Sequence, residues 1–106
     1  MVSTINDIEE FNKLIKEKML VVDFSAVWCG PCQKIKPFFE TLPVKFPNCQ
    51  FATVDVDEQQ ELAQLCNIQC MPTFQIYSEG NKIDEVSGAS EEMLLQKITT
   101  FYDTLE

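Results

Sequence analysis

The chain has 106 residues, 45% of them apolar, and a formal net charge of −9 from 17 acidic and 8 basic side chains. That length suits one domain covering residues 1–106, and the apolar share supports a packed core and argues against disorder. The acidity argues against nucleic acid or an anionic membrane surface as a partner, and no stretch approaches the roughly 20 apolar residues of a membrane span.

Val2–Thr4 reads as a short first strand. Asn6-Asp7-Ile8-Glu9 reads as an N-cap at Asn6 with a box-like Glu three residues on. Ile8, Phe11, Leu14 and Ile15 then recur at helical spacing. Met19–Ser25 is a nearly unbroken apolar run, as expected of a strand covered on both faces. A helix is expected from about Pro31 to Phe46, with Ile35, Phe38, Phe39 and Leu42 turned inward. Pro31 is tolerated in its first turn. Pro37 should kink it, and Pro43 either ends or kinks it again. Phe51–Val56 is a third strand and Gln59–Cys66 a short helix. Thr73–Ser78 and Lys82–Ser87 flank Glu79-Gly80-Asn81, a hairpin signal. Glu91–Tyr102 closes the chain as a helix. The order βαβαβαββα is that of an α/β fold, a mixed central sheet with helices on both faces.

Trp28-Cys29-Gly30-Pro31-Cys32 lies where the second strand gives way to the second helix. Residues i and i+3 on a helix are about 5–6 Å apart at Cβ, and a disulfide needs Cα atoms roughly 4.4–6.8 Å apart. A small adjustment of one turn therefore opens or closes the pair. The free N–H groups and the positive dipole end of a helix start favour an anion. The pKa of Cys29 should accordingly fall below the free-thiol value of about 8.5. A lower pKa enlarges the thiolate fraction and improves the leaving group, at some loss of intrinsic nucleophilicity. Cys29, at the exposed helix start, is the expected attacking sulfur, and Cys32, one turn in, the resolving one. Gly30-Pro31 sets the tightness of the turn and part of the redox poise. A four-thiolate zinc site would need a second pair, for which only Cys66 and Cys70 are near each other. Gly-Pro before a helix fits exchange chemistry better than a metal knuckle.

Asp23 stands in an apolar strand six residues before Cys29. Burial should raise its pKa, and its strand ends where the dithiol helix begins, so it can take the proton from Cys32. Lys36 can reach it from the helix and would oppose that rise. Trp28 is expected to form a partly exposed lid beside the nucleophile. Of the remaining thiols, Cys66 reads as a small buried hydrophobe, and Cys70 is expected to be accessible.

Together with Val22-Asp23-Phe24-Ser25-Ala26, Lys36-Pro37, Val54-Asp55-Val56-Asp57, Met71-Pro72-Thr73-Phe74 and Ser87-Gly88-Ala89, the dithiol makes the whole chain resemble the thioredoxin family. The resemblance implies the thioredoxin fold and a reducing Cys29–Cys32 pair. It implies an acid/base role for Asp23, with Thr53 standing where bacterial members place a lysine. It also implies a cis Met71-Pro72 bond facing the dithiol, within a substrate groove formed by Trp28, Met71, Pro72, Thr73 and Gly88.

The expected activity is that of a general protein-disulfide reductase, an electron carrier in cell redox homeostasis. Its expected partners are disulfide-containing proteins, peroxiredoxins among them, and an NADPH-dependent flavoenzyme, thioredoxin reductase, that recharges it. No cofactor or metal is expected on the chain itself. Animal members also have a cysteine before Met-Pro-Thr, which points to regulation at Cys70 through glutathione or a redox-dependent homodimer. The alternative is a redox-gated binding regulator of a signalling partner. An exported oxidase or isomerase is disfavoured by Gly-Pro and by a start without a basic region or long apolar run. Five cysteines, an odd number, also depart from a paired secreted framework, so the cytoplasm is expected, with the nucleus as a further location.

Overall fold

The computed structural model describes residues 1–105. Its elements are β1 (Val2–Thr4), α1 (Ile8–Leu14), β2 (Leu20–Ser25), α2 (Gly30–Lys45), β3 (Gln50–Asp55), α3 (Gln60–Leu65), β4 (Thr73–Ser78), β5 (Asn81–Ser87) and α4 (Glu91–Tyr102). The five strands form one sheet in the order β1-β3-β2-β4-β5. β3 runs parallel to β1 and β2, whereas β4 is antiparallel to both β2 and β5. This is the mixed sheet expected from the element order.

Alternation along the central strands sorts the core into two layers. Met19, Val21, Phe51, Phe74 and Ile76 pack with Ile35, Phe39, Leu42, Leu94 and Ile98 of α2 and α4. Leu20, Val22, Phe24, Ala52 and Val54 pack on the other face with Phe11 and Leu62 of α1 and α3. Phe39 lies 5.6 Å from the rings of both Phe51 and Phe74, which pins the middle of α2 to the sheet.

Two local details, the α1 cap and the hairpin turn, differ from the sequence reading, and a third, whether Pro43 ends α2, is decided. The α1 cap is Asp7, not Asn6: Asp7 is extended, and its Oδ1 accepts the Glu10 N–H at 2.8 Å. Glu10 in turn accepts from the Asn6 N–H at 3.3 Å, one residue ahead of the cap, so the reciprocal pair is box-like but offset. α2 continues through both Pro37 and Pro43 and stops only where Phe46 leaves helical geometry (φ −127°, ψ 72°) ahead of Pro47. The hairpin turn is the pair Glu79-Gly80, both at positive φ, so Asn81 already belongs to β5.

Candidate active site

Parity along β2 places the acid. Val21 lies in the α2 layer, and Asp23, two residues on, projects to the same side. There it lines a cavity of about 180 Å³ with Ser25 and Thr53 of the sheet and Gln33, Lys36, Phe39 and Glu40 of α2. Asp23 is 3% exposed, and its Oδ1 has no hydrogen-bond partner among the described residues. Desolvation lifts its pKa to about 7, with the Lys36 charge opposing the rise. Thr53 sits opposite Asp23 in register but donates its hydroxyl to the Asp23 carbonyl, at 3.2 Å, and not to the carboxyl.

The dithiol occupies the first turn of α2. Cys29 is the N-cap residue and is disulfide-bonded to Cys32, with Cα atoms 5.2 Å apart. Its Sγ accepts the Cys32 backbone N–H at 3.2 Å. The sulfur thus takes the place that a Ser or Asp oxygen takes in other helices, facing an otherwise orphaned donor. The turn is held from outside: Cys29 N–H donates to the Ala26 carbonyl at 3.2 Å, and the Gln33 amide donates to the same oxygen at 3.0 Å. Cys29 was expected at an exposed position, yet it is only 6% exposed, against 1% for Cys32. The order of accessibility is the expected one, but Ala26, Val56 and Met71 close around the pair more tightly than helix position alone suggests.

Around the disulfide, Gly30 and Pro31 are exposed and Trp28 is 65% exposed. The indole N–H of Trp28 donates to Asp57 Oδ2 at 2.8 Å. In the sequence Asp57 stands out only as the end of the Val54-Asp55-Val56-Asp57 run, two residues past the end of β3. The Met71-Pro72 peptide is cis, and the Met71 carbonyl oxygen lies 3.8 Å from Cys29 Sγ. Gly88, at φ +93°, donates its N–H to the Pro72 carbonyl at 2.8 Å, joining the end of β5 to this turn. Trp28, Met71 and Gly88 reach the surface, as a groove requires. Pro72 and Thr73 do not: both are buried, because β4 starts there and enters the sheet between β2 and β5.

The three remaining cysteines differ in environment. Cys49 is buried, which pushes its thiol up to about 12. Cys66 is half-buried, not fully buried as expected, and burial raises its pKa while the Tyr77 hydroxyl, 3.8 Å from Sγ, lowers it. Cys70 is exposed. No helix of the described residues is long and apolar enough to cross a membrane.

Comparison with known proteins agrees with this geometry. A thioredoxin family model matches residues 2–100. A thioredoxin of Rattus norvegicus is 49% identical over 104 residues, covering 95% of this chain and 99% of the relative. A solved thioredoxin of Plasmodium falciparum superposes with a TM-score of 0.91 at 38% identity, over 93% of this chain and 98% of the other. A further chain, with a TM-score of 0.90 and 34% identity over 93% and 94% of the two chains, comes from a study of thiol resolution in a yeast mitochondrial 1-Cys peroxiredoxin via glutathione/thioredoxin systems.

Proposed function

This chain belongs to the thioredoxin family and is a disulfide oxidoreductase acting on disulfide-containing proteins, and we propose that it works as a general protein-disulfide reductase recharged by an NADPH-dependent flavoenzyme. The observation that carries the reading is a disulfide closed across a helix N-cap, with a buried carboxyl on the face of the sheet that packs against that helix.

In the reduced protein, the Cys29 thiolate attacks one sulfur of a substrate disulfide. A mixed disulfide forms and the first substrate thiolate leaves. Asp23 then accepts the Cys32 proton; the Cys32 thiolate attacks Cys29 Sγ and expels the second substrate thiolate. The substrate gains two electrons, and the protein keeps the Cys29–Cys32 disulfide. The greater exposure of Cys29 and the N–H aimed at its sulfur support its role as attacker. A group with a pKa near 7 suits proton acceptance at neutral pH.

Peroxiredoxins are proposed among the substrates, consistent with the yeast study above. The exposed Cys70 is proposed as a regulatory thiol, open to glutathione or to a second copy of the chain. A reducing compartment, the cytoplasm with access to the nucleus, is the proposed setting. The test is catalytic reduction of insulin disulfides together with the pair's potential against a glutathione buffer. Turnover with a potential on the reducing side is expected. Redox-dependent binding without turnover would replace this reading with that of a redox-gated regulator.

A further inference from the structure

Thr73 is 2% exposed, yet its hydroxyl is not idle: Oγ1 donates to the Cys70 carbonyl at 2.7 Å, across the turn that precedes β4. The Cys70 sulfur is also near, at 3.8 Å, but the hydroxyl has one proton, and the carbonyl is the closer and better acceptor. Thr73 itself is fixed, since it pairs with Phe24 of β2 on one side and Ser87 of β5 on the other. The far side of the turn is fixed too, because the Pro72 carbonyl accepts the Gly88 N–H. Met71 lies between these two ties. Its carbonyl faces Cys29 Sγ, and its N–H has no hydrogen-bond partner among the described residues. Free backbone groups beside a reactive sulfur are what an extended peptide needs to align by main-chain pairing.

We infer that Thr73 is a positioning residue whose hydroxyl fastens the Cys70–Thr73 turn and so holds the Met71 backbone toward an incoming substrate strand. The inference rests on the exchange reading above. It predicts selectivity by substrate type. A peptide disulfide that must align its backbone depends on the tie. A small aromatic disulfide, with no strand to pair, does not.

The experiment uses the full reduced chain in single-turnover kinetics with two probes, an extended disulfide-linked peptide and 5,5′-dithiobis(2-nitrobenzoate). Thr73→Val removes the hydroxyl and keeps the shape; Thr73→Ser keeps the hydroxyl. Thr73→Val is expected to lose about three- to tenfold in second-order rate toward the peptide, the effect of one ordinary hydrogen bond. Its rate with the small disulfide should fall by clearly less than its rate with the peptide, and Thr73→Ser should restore peptide reactivity. Should the Val variant not fold, Thr73→Ala against Thr73→Ser makes the same comparison one methyl group smaller. Equal losses on both probes, an unchanged peptide rate, or a Ser variant as slow as the Val variant would overturn the inference. A wild-type chain inert to both probes would end the exchange reading and this inference with it; an active wild type whose probe ratio is unmoved by the Val change would end the inference alone.

Discussion

Replacing Asp23 by Asn should make the protein more stable at neutral pH, by an amount that grows with pH. The carboxyl's pKa is about 7 in the folded chain against an ordinary 3.8, a difference of about three units. Each unit corresponds to about 1.4 kcal/mol. The folded state holds this proton more tightly than the unfolded one, so the stability it contributes is complete below about pH 4. That contribution drains away as pH rises toward 7, reaching a loss of about 4 kcal/mol where the group is fully ionised. With 3% exposure there is little solvent screening to reduce the figure. Asn is neutral throughout and keeps nearly the same shape. Urea unfolding of the oxidised wild type and Asp23→Asn, at pH values from about 4.5 to 8.5, isolates the term, since every other ionisable group is common to both. The gap should be only about 1 kcal/mol at the acid end and widen toward about 4 kcal/mol above pH 7, a difference of some 15 °C or more in midpoint temperature for a domain of this size. A difference that does not change with pH would mean that the carboxyl is solvated through its cavity. Asp23 would then have no elevated proton affinity to lend to Cys32.

Lys36→Gln removes the charge that opposes this rise, so Asp23 should titrate higher; the pH at which the gap between wild type and Asp23→Asn levels off, remeasured in the Lys36→Gln background, should move upward, and an unmoved plateau would show that Lys36 is screened from the carboxyl. Cys32→Ser should accumulate mixed disulfides through Cys29, identifiable by peptide mapping after alkylation. Equal capture through Cys32 in Cys29→Ser would reverse the assigned roles. The Asp23→Asn protein should also resolve its mixed disulfide more slowly at neutral pH, which stopped-flow measurement of substrate release reads directly.

Much of this arrangement is legible in the residues because local rules and the fold agree. The run Met19–Ser25 could be read as a doubly covered strand, and period two within it already puts Asp23 on one side with Val21. Cys29 and Cys32 announce themselves by spacing and by the Gly-Pro that opens a helix. What could not be read depends on distant parts of the chain. Cys29 is buried by Met71, 42 positions away, and by Val56. Trp28 is anchored by Asp57, 29 positions away. Thr73 looks like a groove residue in Met71-Pro72-Thr73, but strand pairing with β2 and β5 turns it inward, a tertiary outcome invisible to its neighbours. The α1 cap shows the opposite limit: Asn6 and Asp7 are both good caps, and only the closure of the Asp7–Glu10 bond decides between them.

The two-layer sorting of β2 has a consequence for what changes this fold can absorb. Slipping the strand by a single position would hand the carboxyl to the Leu20, Val22 and Phe24 side, against α1 and α3, and would drive Val22 or Phe24 into the cavity beside Lys36. The carboxyl and the dithiol would then face opposite sides of the sheet, although no residue had been altered. Insertions and deletions within β2 are therefore tolerable in this enzyme only if they preserve odd–even numbering along the strand. Its chemistry is indexed to the pleat as much as to the identity of its side chains.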